Sequence, residues 1–295
     1  MLVADKAGNG DGKTLGATRI LMSLAVFCLV SCSGAEPPNV EPREILPQPD
    51  QVAFFERPRT LAAARQSDQP GPLVVLLETD PWASVMGSDS PTFALYEDGT
   101  VIQKSTNGFV TTRLDKPEID QLLDRLDLPS LSRSYGRFDA ADATDQPEQN
   151  LLIYRTARPI FVSVYGSLED KAVRAQVPLE VNHAYDVLAQ FKHPKGREWL
   201  PENIEVMIWP YEHAPEPSLN WPEKWPGLND AKTVRRGGDS FSIFMPSTKL
   251  ADLRAFFERR NERGAFEIDG QKWSASIRFP FPHEKLWMAP RPELE

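Results

Sequence analysis

Two Asp-Gly pairs, Asp98-Gly99 and Asp269-Gly270, each separate two short apolar runs, and this pattern narrows the folds open to the chain. Asp and Gly tolerate the positive φ that a tight hairpin turn requires, so "PTFALYEDGTVIQK" and "GAFEIDGQKWSASIRF" both predict antiparallel strand pairs. In the second hairpin Trp273, Ala275, Ile277 and Phe279 alternate with Ser274, Ser276 and Arg278, the period of a half-buried strand. Further strands are expected in "LVVLLE" from Leu73 to Glu78, in the pair "NLLIYRTARPIFVSVYG", and in "NIEVMIWPY" and "DSFSIFMPS".

Helices fall between these runs. Asp115-Lys116-Pro117-Glu118 combines an Asp cap, an early Pro and an acid three residues after the cap, so a helix starts there, with Ile119, Leu122, Leu123 and Leu126 inward. A second helix is expected from about Glu180 to Phe191, and a third over "KLADLRAFFERRN", with Leu250, Leu253, Phe256 and Phe257 inward. The reading is an α+β chain with two small antiparallel-sheet-plus-helix modules in tandem, residues 73–195 and 196–295. The strand, cap and helix order shared by "FVTTRLDKPEIDQLLDRL" and "FSIFMPSTKLADLRAFFE" raises internal duplication as the origin of the two modules. Alternation of this kind is also what any α+β chain shows.

The N-terminal part follows other rules. Arg19 precedes an apolar run from Ile20 to Val30, the length of a signal-peptide core and too short for a membrane-spanning helix, which takes about twenty apolar residues. The run closes on Leu29-Val30-Ser31-Cys32. This quartet resembles the bacterial lipoprotein signal, which implies removal of residues 1–31 and lipidation of Cys32. The segment before Arg19 is longer than that pattern and contains Asp5 and Asp11; translation beginning near Leu15 would leave a short basic leader. Ser33 directly after Cys32, with no Asp there, resembles lipoproteins exported to the outer membrane of two-membrane bacteria. The expected location is therefore the cell envelope, facing the periplasm in such an organism. Residues 32–72 hold eight prolines after Ser33 and no sustained apolar period, and they read as a Pro-rich tether, within which "QVAFFERPRTLAAARQ" is short enough to dock or to form a brief helix.

The two cysteines are Cys28, inside the apolar run, and Cys32, so the remainder of the chain has no thiol for a disulfide, a Cys nucleophile or a thiolate zinc site. The chain has 33 Lys plus Arg against 42 Asp plus Glu, a balance that repels phosphate backbones and argues against a nucleic-acid partner. The expected membrane link is the N-terminal lipid. The stretch "SPTFALYEDGTVIQ", a helix, and then "DATDQPEQNLLIYRT" resembles a group of bacterial exported and lipid-anchored proteins over roughly Pro72 to Phe191. That resemblance implies compartment and broad architecture and brings no activity with it.

Chemistry is sparse along the chain. No Gly-x-Ser-x-Gly elbow is present, and Ser247-Thr248-Lys249 places its Lys two residues after the Ser, where a helical turn is needed to bring the amine beneath the hydroxyl. His183, His193, His213 and His283 are scattered, with no His-Glu-x-x-His run. Asp139, Asp142 and Asp145 recur every third residue, the right ligand type for calcium without the spacing of the known calcium loop, so they are weak metal candidates. No cofactor is expected. The unusual feature is "WPYEHAPEPSLNWPEKWPG", with three Trp-Pro pairs in a segment expected to stay outside regular structure. Trp209, Tyr211, Trp221 and Trp225 there are either a rigid aromatic platform for a glycan or envelope protein, or a plug laid across a sheet. The leading expectation is a non-catalytic, lipid-anchored binding module. The alternatives are an envelope hydrolase whose acids and histidine are assembled by the fold, and an inhibitor inserting the Trp-Pro loop into a partner.

Overall fold

The computed structural model describes residues 70–85, 87–155, 159–236, 239–284 and 287. The chain divides into Met1–Glu41 and Pro42–Glu295, and all described residues lie in the second unit. The expected signal peptide, the expected lipidation site Cys32 and nearly all of the expected tether fall outside them.

The fold is α+β, with two mixed sheets and a few helices. The strands are β1 Pro72–Thr79, β2 Phe93–Tyr96, β3 Thr100–Ser105, β4 Gly108–Arg113, β5 Gly136–Asp139, β6 Glu148–Ile153, β7 Ile160–Tyr165 and β8 Arg197–Trp199, followed by β9 Asn203–Pro210, β10 Glu216–Asn220, β11 Val234–Arg235, β12 Phe241–Pro246, β13 Gly264–Ile268 and β14 Gln271–Arg278. The helices are α1 Lys116–Arg125, α2 Leu128–Leu131, α3 Lys171–Ala175, α4 Leu179–Ala189 and α5 Leu250–Phe257. The first sheet runs β5-β7-β6-β1-β2-β3-β4-β8 and the second β10-β13-β14-β9-β12-β11.

Both Asp-Gly pairs turn hairpins. Gly99 has φ 83° between β2 and β3, and Asp269 and Gly270 have φ 50° and 76° between β13 and β14. At Gly99 a Cβ would sit 2.2 Å from the Leu114 carbonyl oxygen, so only glycine fits that close approach. The predicted capping box of α1 is complete: Asp115 accepts from the Glu118 amide at 2.9 Å, and Glu118 accepts from the Asp115 amide at 2.8 Å.

Expectation and structure differ in three places. Each sheet has one parallel pair, β5 with β7 and β10 with β13, where purely antiparallel sheets were expected. β7 inserts between β5 and β6, and since β7 is antiparallel to β6, a β5 that also opposes β6 must run parallel to β7. The two strand orders are also unlike one another, so the shared strand-to-helix order of β4-α1 and β12-α5 does not extend to a common sheet topology. Finally, the Trp-Pro stretch contains the strand β10, with Pro217 inside it. β10 is the outermost strand of its sheet, where a missing N–H can face away from the ladder.

Three apolar clusters hold the sheets. One face of the first sheet packs Val74, Leu76, Phe93 and Leu95 against Leu122 and Leu126 of the α1 region and Val181, Tyr185 and Leu188 of α4. Its other face packs Val75, Leu77, Tyr96 and Phe161 against Phe279, Phe281 and Trp287, which come from the segment after β14. The second sheet's chain thus returns to cover the first sheet, and Tyr96 donates its hydroxyl to the Pro282 carbonyl at 3.2 Å. The third cluster joins Ile204, Val206, Ile208 and Ile243 to Leu253 and Phe256 of α5 and to Trp221.

Trp221 is a plug in this third cluster. It is 8% exposed, meets Trp225, Phe256 and Phe266 edge to face at centroid distances of 5.1, 5.6 and 6.1 Å, and donates its indole N–H to the Pro226 carbonyl at 3.0 Å. Trp221→Ala leaves a cavity beneath α5 and is expected to cost about 3–5 kcal/mol in urea unfolding. A loss below about 1 kcal/mol would mean that the indole does not support that core.

Candidate functional site

The strand period buries one face of the second sheet in the third cluster and turns Glu205 of β9, Ser242 of β12, and Ser274 and Arg278 of β14 to the other. A two-residue alternation predicts that such a polar face meets water. Here it meets the first sheet's long β1-β2 connection, and Glu205 and Arg278 are 0% and 1% exposed. Ser274 donates to the Ser84 carbonyl at 2.9 Å and Arg278 Nε to the Asp89 carbonyl at 3.3 Å. Ser90 Oγ donates to the Phe279 carbonyl at 3.0 Å and accepts from the Phe279 amide at 3.2 Å. The connection from Asp80 to Ser90 is thereby sewn to the polar face of the second sheet along β14.

Arg278 is the centre of this seam. One guanidinium nitrogen donates to Glu205 Oε2 at 2.5 Å and to Glu284 Oε1 at 3.1 Å, while the other pairs with Glu284 Oε2. Glu205 Oε1 is taken by Arg236 and by the Ser242 hydroxyl. Burial alone raises the Glu205 pKa, but Arg278 and Arg236 outweigh it and hold the carboxyl below its usual value. A buried charge set is tolerable only with its hydrogen bonds filled, and the fork geometry of arginine supplies them from three directions.

Beside this seam lies an open cleft of about 670 Å³. One wall belongs to the first sheet: Glu78 at the end of β1, Ser88 to Ser90, and Lys104 to Phe109 around the β3-β4 turn. Ile277 of β14, Phe279 just after it, and Arg254 in the last turn of α5 complete the lining. The charges on these walls are unevenly satisfied. Glu78 accepts the Tyr185 hydroxyl at 2.8 Å. Arg254 lies over Gly108, its Nη2 3.9 Å from where a Cβ would stand, and its guanidinium has no ion pair or hydrogen bond among the described residues. Asp89 is the converse case: its Oδ2 is buried without a partner among the described residues, and burial raises its pKa further than a backbone hydrogen bond at Asp80 and the nearby Lys104 lower it. A buried carboxylate oxygen left unpaired at the rim of a cleft is a stability cost.

The residues singled out by sequence are dispersed. Trp221 and Trp225 lie in the third cluster, away from the cleft lining, and Tyr211 is half-buried. Trp209 is 36% exposed and stands opposite Ser274 across the β9-β14 ladder. The most exposed indole is Trp82, at 76%, on the same sewn connection that lines the cleft. It lies outside the Trp-Pro stretch, and the Pro81-Trp82 pair was its only signal in the sequence. Asp139 pairs with Arg137 at 2.8 Å, and among the described residues no group of three acid, His or Cys side chains is placed to hold a metal. Ser247 donates to the Pro201 carbonyl in a 3-10 turn before α5.

Of the histidines, His193 faces an acid, Glu118. Its Nδ1 is 2.9 Å from the Thr112 hydroxyl and accepts the Lys195 amide at 3.3 Å, which leaves Nε2 to face Glu118 at 3.4 Å. Glu118 is the capping acid of α1, and these groups lie outside the cleft lining. His183 faces the Arg125 carbonyl at 2.8 Å.

Asp89 gives a pH test of the cleft. Its folded pKa is raised above the unfolded one, so the folded state holds the proton more tightly and the ionised carboxylate costs stability as pH rises through the folded pKa. Asp89→Asn is therefore expected to melt higher than the wild type at pH 7, with the two curves meeting below about pH 4. A lower melting temperature at pH 7 would show that the carboxylate is compensated.

Compared with known protein families, curated proteins and solved structures, the chain matches none, so its function is read from the site's own geometry.

Proposed function

We propose that the chain is a lipid-anchored cell-envelope protein that binds a ligand without catalysing a reaction, and that the cleft between the two sheets is the seat. The anchor rests on the Leu29-Val30-Ser31-Cys32 quartet after a short apolar run. The seat rests on one observation above all: among the described residues Arg254 has no ion pair or hydrogen bond and Asp89 has an unpaired buried oxygen, and both line one cleft of about 670 Å³. That volume is in the range that takes small-molecule or short-chain ligands. Arg254 is exposed and solvated, but the buried Asp89 oxygen costs stability, and a protein that gained nothing from it would be more stable with it paired or replaced.

A second reading, hydrolysis, is favoured by the order Thr112, His193, Glu118, which is that of a hydroxyl, an imidazole and a carboxylate in relay. The bland role of His193, tying the segment after α4 to β4 and to the cap of α1, accounts for the same contacts. Its acid is already committed to the Asp115 amide.

The experiment has two arms. Labelled palmitate is expected to enter the wild type in cells and not Cys32→Ala; equal labelling would remove the anchor. Melting curves of the purified protein against envelope peptide and glycan fragments are then compared with Asn107→Trp, which places a large side chain in the cleft from an exposed turn. Stabilisation of the wild type by at least one fragment, absent in Asn107→Trp, is expected. Stabilisation that survives the block would place the site elsewhere, and turnover lost in both Thr112→Ala and His193→Gln would establish the hydrolytic reading.

A further inference from the structure

The cleft's lining selects among ligand chemistries. Lys104 of the first sheet and Arg254 of α5 both line the cleft, so a ligand there meets two cations. Lys104 is exposed and, like Arg254, has no ion pair among the described residues. A guanidinium and an ammonium in one lining, neither ion-paired among the described residues, call for an anionic group. Glu78 and Asp89 share the first-sheet wall with Lys104, and their charge disfavours a dianion such as phosphate while leaving a carboxylate acceptable. The same two acids are acceptors for N–H groups placed behind that carboxylate.

The apolar part of the lining argues against a pyranose ring. Stacking needs an open aromatic face, and Phe109, at 7% exposed, is enclosed by Trp199, Phe279 and Phe281 at centroid distances of 6.0, 5.3 and 5.3 Å. Ile277 and Phe279 are half-buried and offer an irregular apolar wall suited to aliphatic side chains. Ser105, Thr106 and Asn107 at the β3-β4 turn supply hydroxyl and amide partners for a backbone.

Resting on the cleft as the ligand seat, we infer that the ligand is a short peptide with a free C-terminal carboxylate. Arg254, assisted by Lys104, receives the carboxylate. The Glu78 and Asp89 wall receives the peptide's N–H groups, and Ile277 with Phe279 receives a small aliphatic side chain. Arg254 is then the residue that sets specificity for a free terminus.

Calorimetric titration of the purified full-length protein with trialanine, trialanine amide, galacturonate and inorganic phosphate tests this. The wild type is expected to bind trialanine at least ten-fold more tightly than its amide, galacturonate or phosphate. Arg254→Gln is expected to abolish the preference for the acid over the amide while keeping the wild-type melting temperature, and Arg254→Lys to restore part of it. Equal binding of acid and amide, both lost in Asn107→Trp, would overturn the carboxylate assignment and leave the cleft as the seat. Tighter binding of phosphate or galacturonate than of trialanine, lost in Asn107→Trp, would overturn the peptide class alone. Binding of any probe that is unchanged in Asn107→Trp would overturn the cleft together with the peptide, and no binding of trialanine at millimolar concentration would overturn the peptide inference.

Discussion

A carboxylate with no exposure, Glu205, faces a guanidinium with almost none, Arg278, across the β9-β14 ladder, and that pair holds the arginine where it meets the first sheet's β1-β2 connection. Removing either partner strands a charge in a dry site, at a cost typically of about 3–5 kcal/mol. Both side chains belong to the second sheet, opposite each other across the β9-β14 ladder, and a hydrophobic pair would hold those two strands as firmly. It would not hold a carbonyl: Arg278 also donates to Asp89, and that bond fixes the stretch from Ser88 to Ser90 where it lines the cleft. The ion cluster therefore gives position as well as cohesion, and the arginine fork is what allows one side chain to reach Glu205, Glu284 and the Asp89 carbonyl together.

The return of the chain after β14 makes the two sheets interdependent. Phe281 and Trp287 fill the second face of the first sheet, so that sheet's core is completed by residues that follow the last strand of the other sheet. Glu284, between them, accepts from Arg278 and from the Phe281 amide, which ties the covering segment to the same ion cluster. Core packing, sheet docking and cleft shape thus share a few residues, and a change at Arg278 is felt in all three.

What could be read from the sequence was local. The Asp-Gly turns and the Asp115-Glu118 capping box depend on residues within a few positions of each other, and the structure has them as the pattern predicts. The inward positions of α1, α4 and α5 follow from their period in the same way. The polar face of β14 was legible as a period but not as an environment, because nothing in "WSASIR" tells that the Ser and Arg side is covered by a connection nearly 190 positions earlier. For the same reason the cleft was invisible: Asp89, Lys104 and Arg254 are ordinary surface residues until the sheets meet. The Trp-Pro stretch drew the eye by composition, yet Trp221 is used for packing, while the exposed Trp82 stood alone and carried almost no sequence signal.

Hydrogen exchange of the Arg278→Lys variant, compared with the wild type, tests the dependence of the cleft on the ion cluster most directly. Lysine keeps the charge and loses the fork. The Trp82, Ala83 and Ser88 amides, bonded within the sewn connection, are expected to exchange at least ten-fold faster. The Thr92 amide, bonded to Leu76 in the first sheet, and the interior amides of β9 are expected to keep their protection. Unchanged exchange in the connection, or an equal rise across both sheets, would contradict the view that Arg278 holds the cleft in shape.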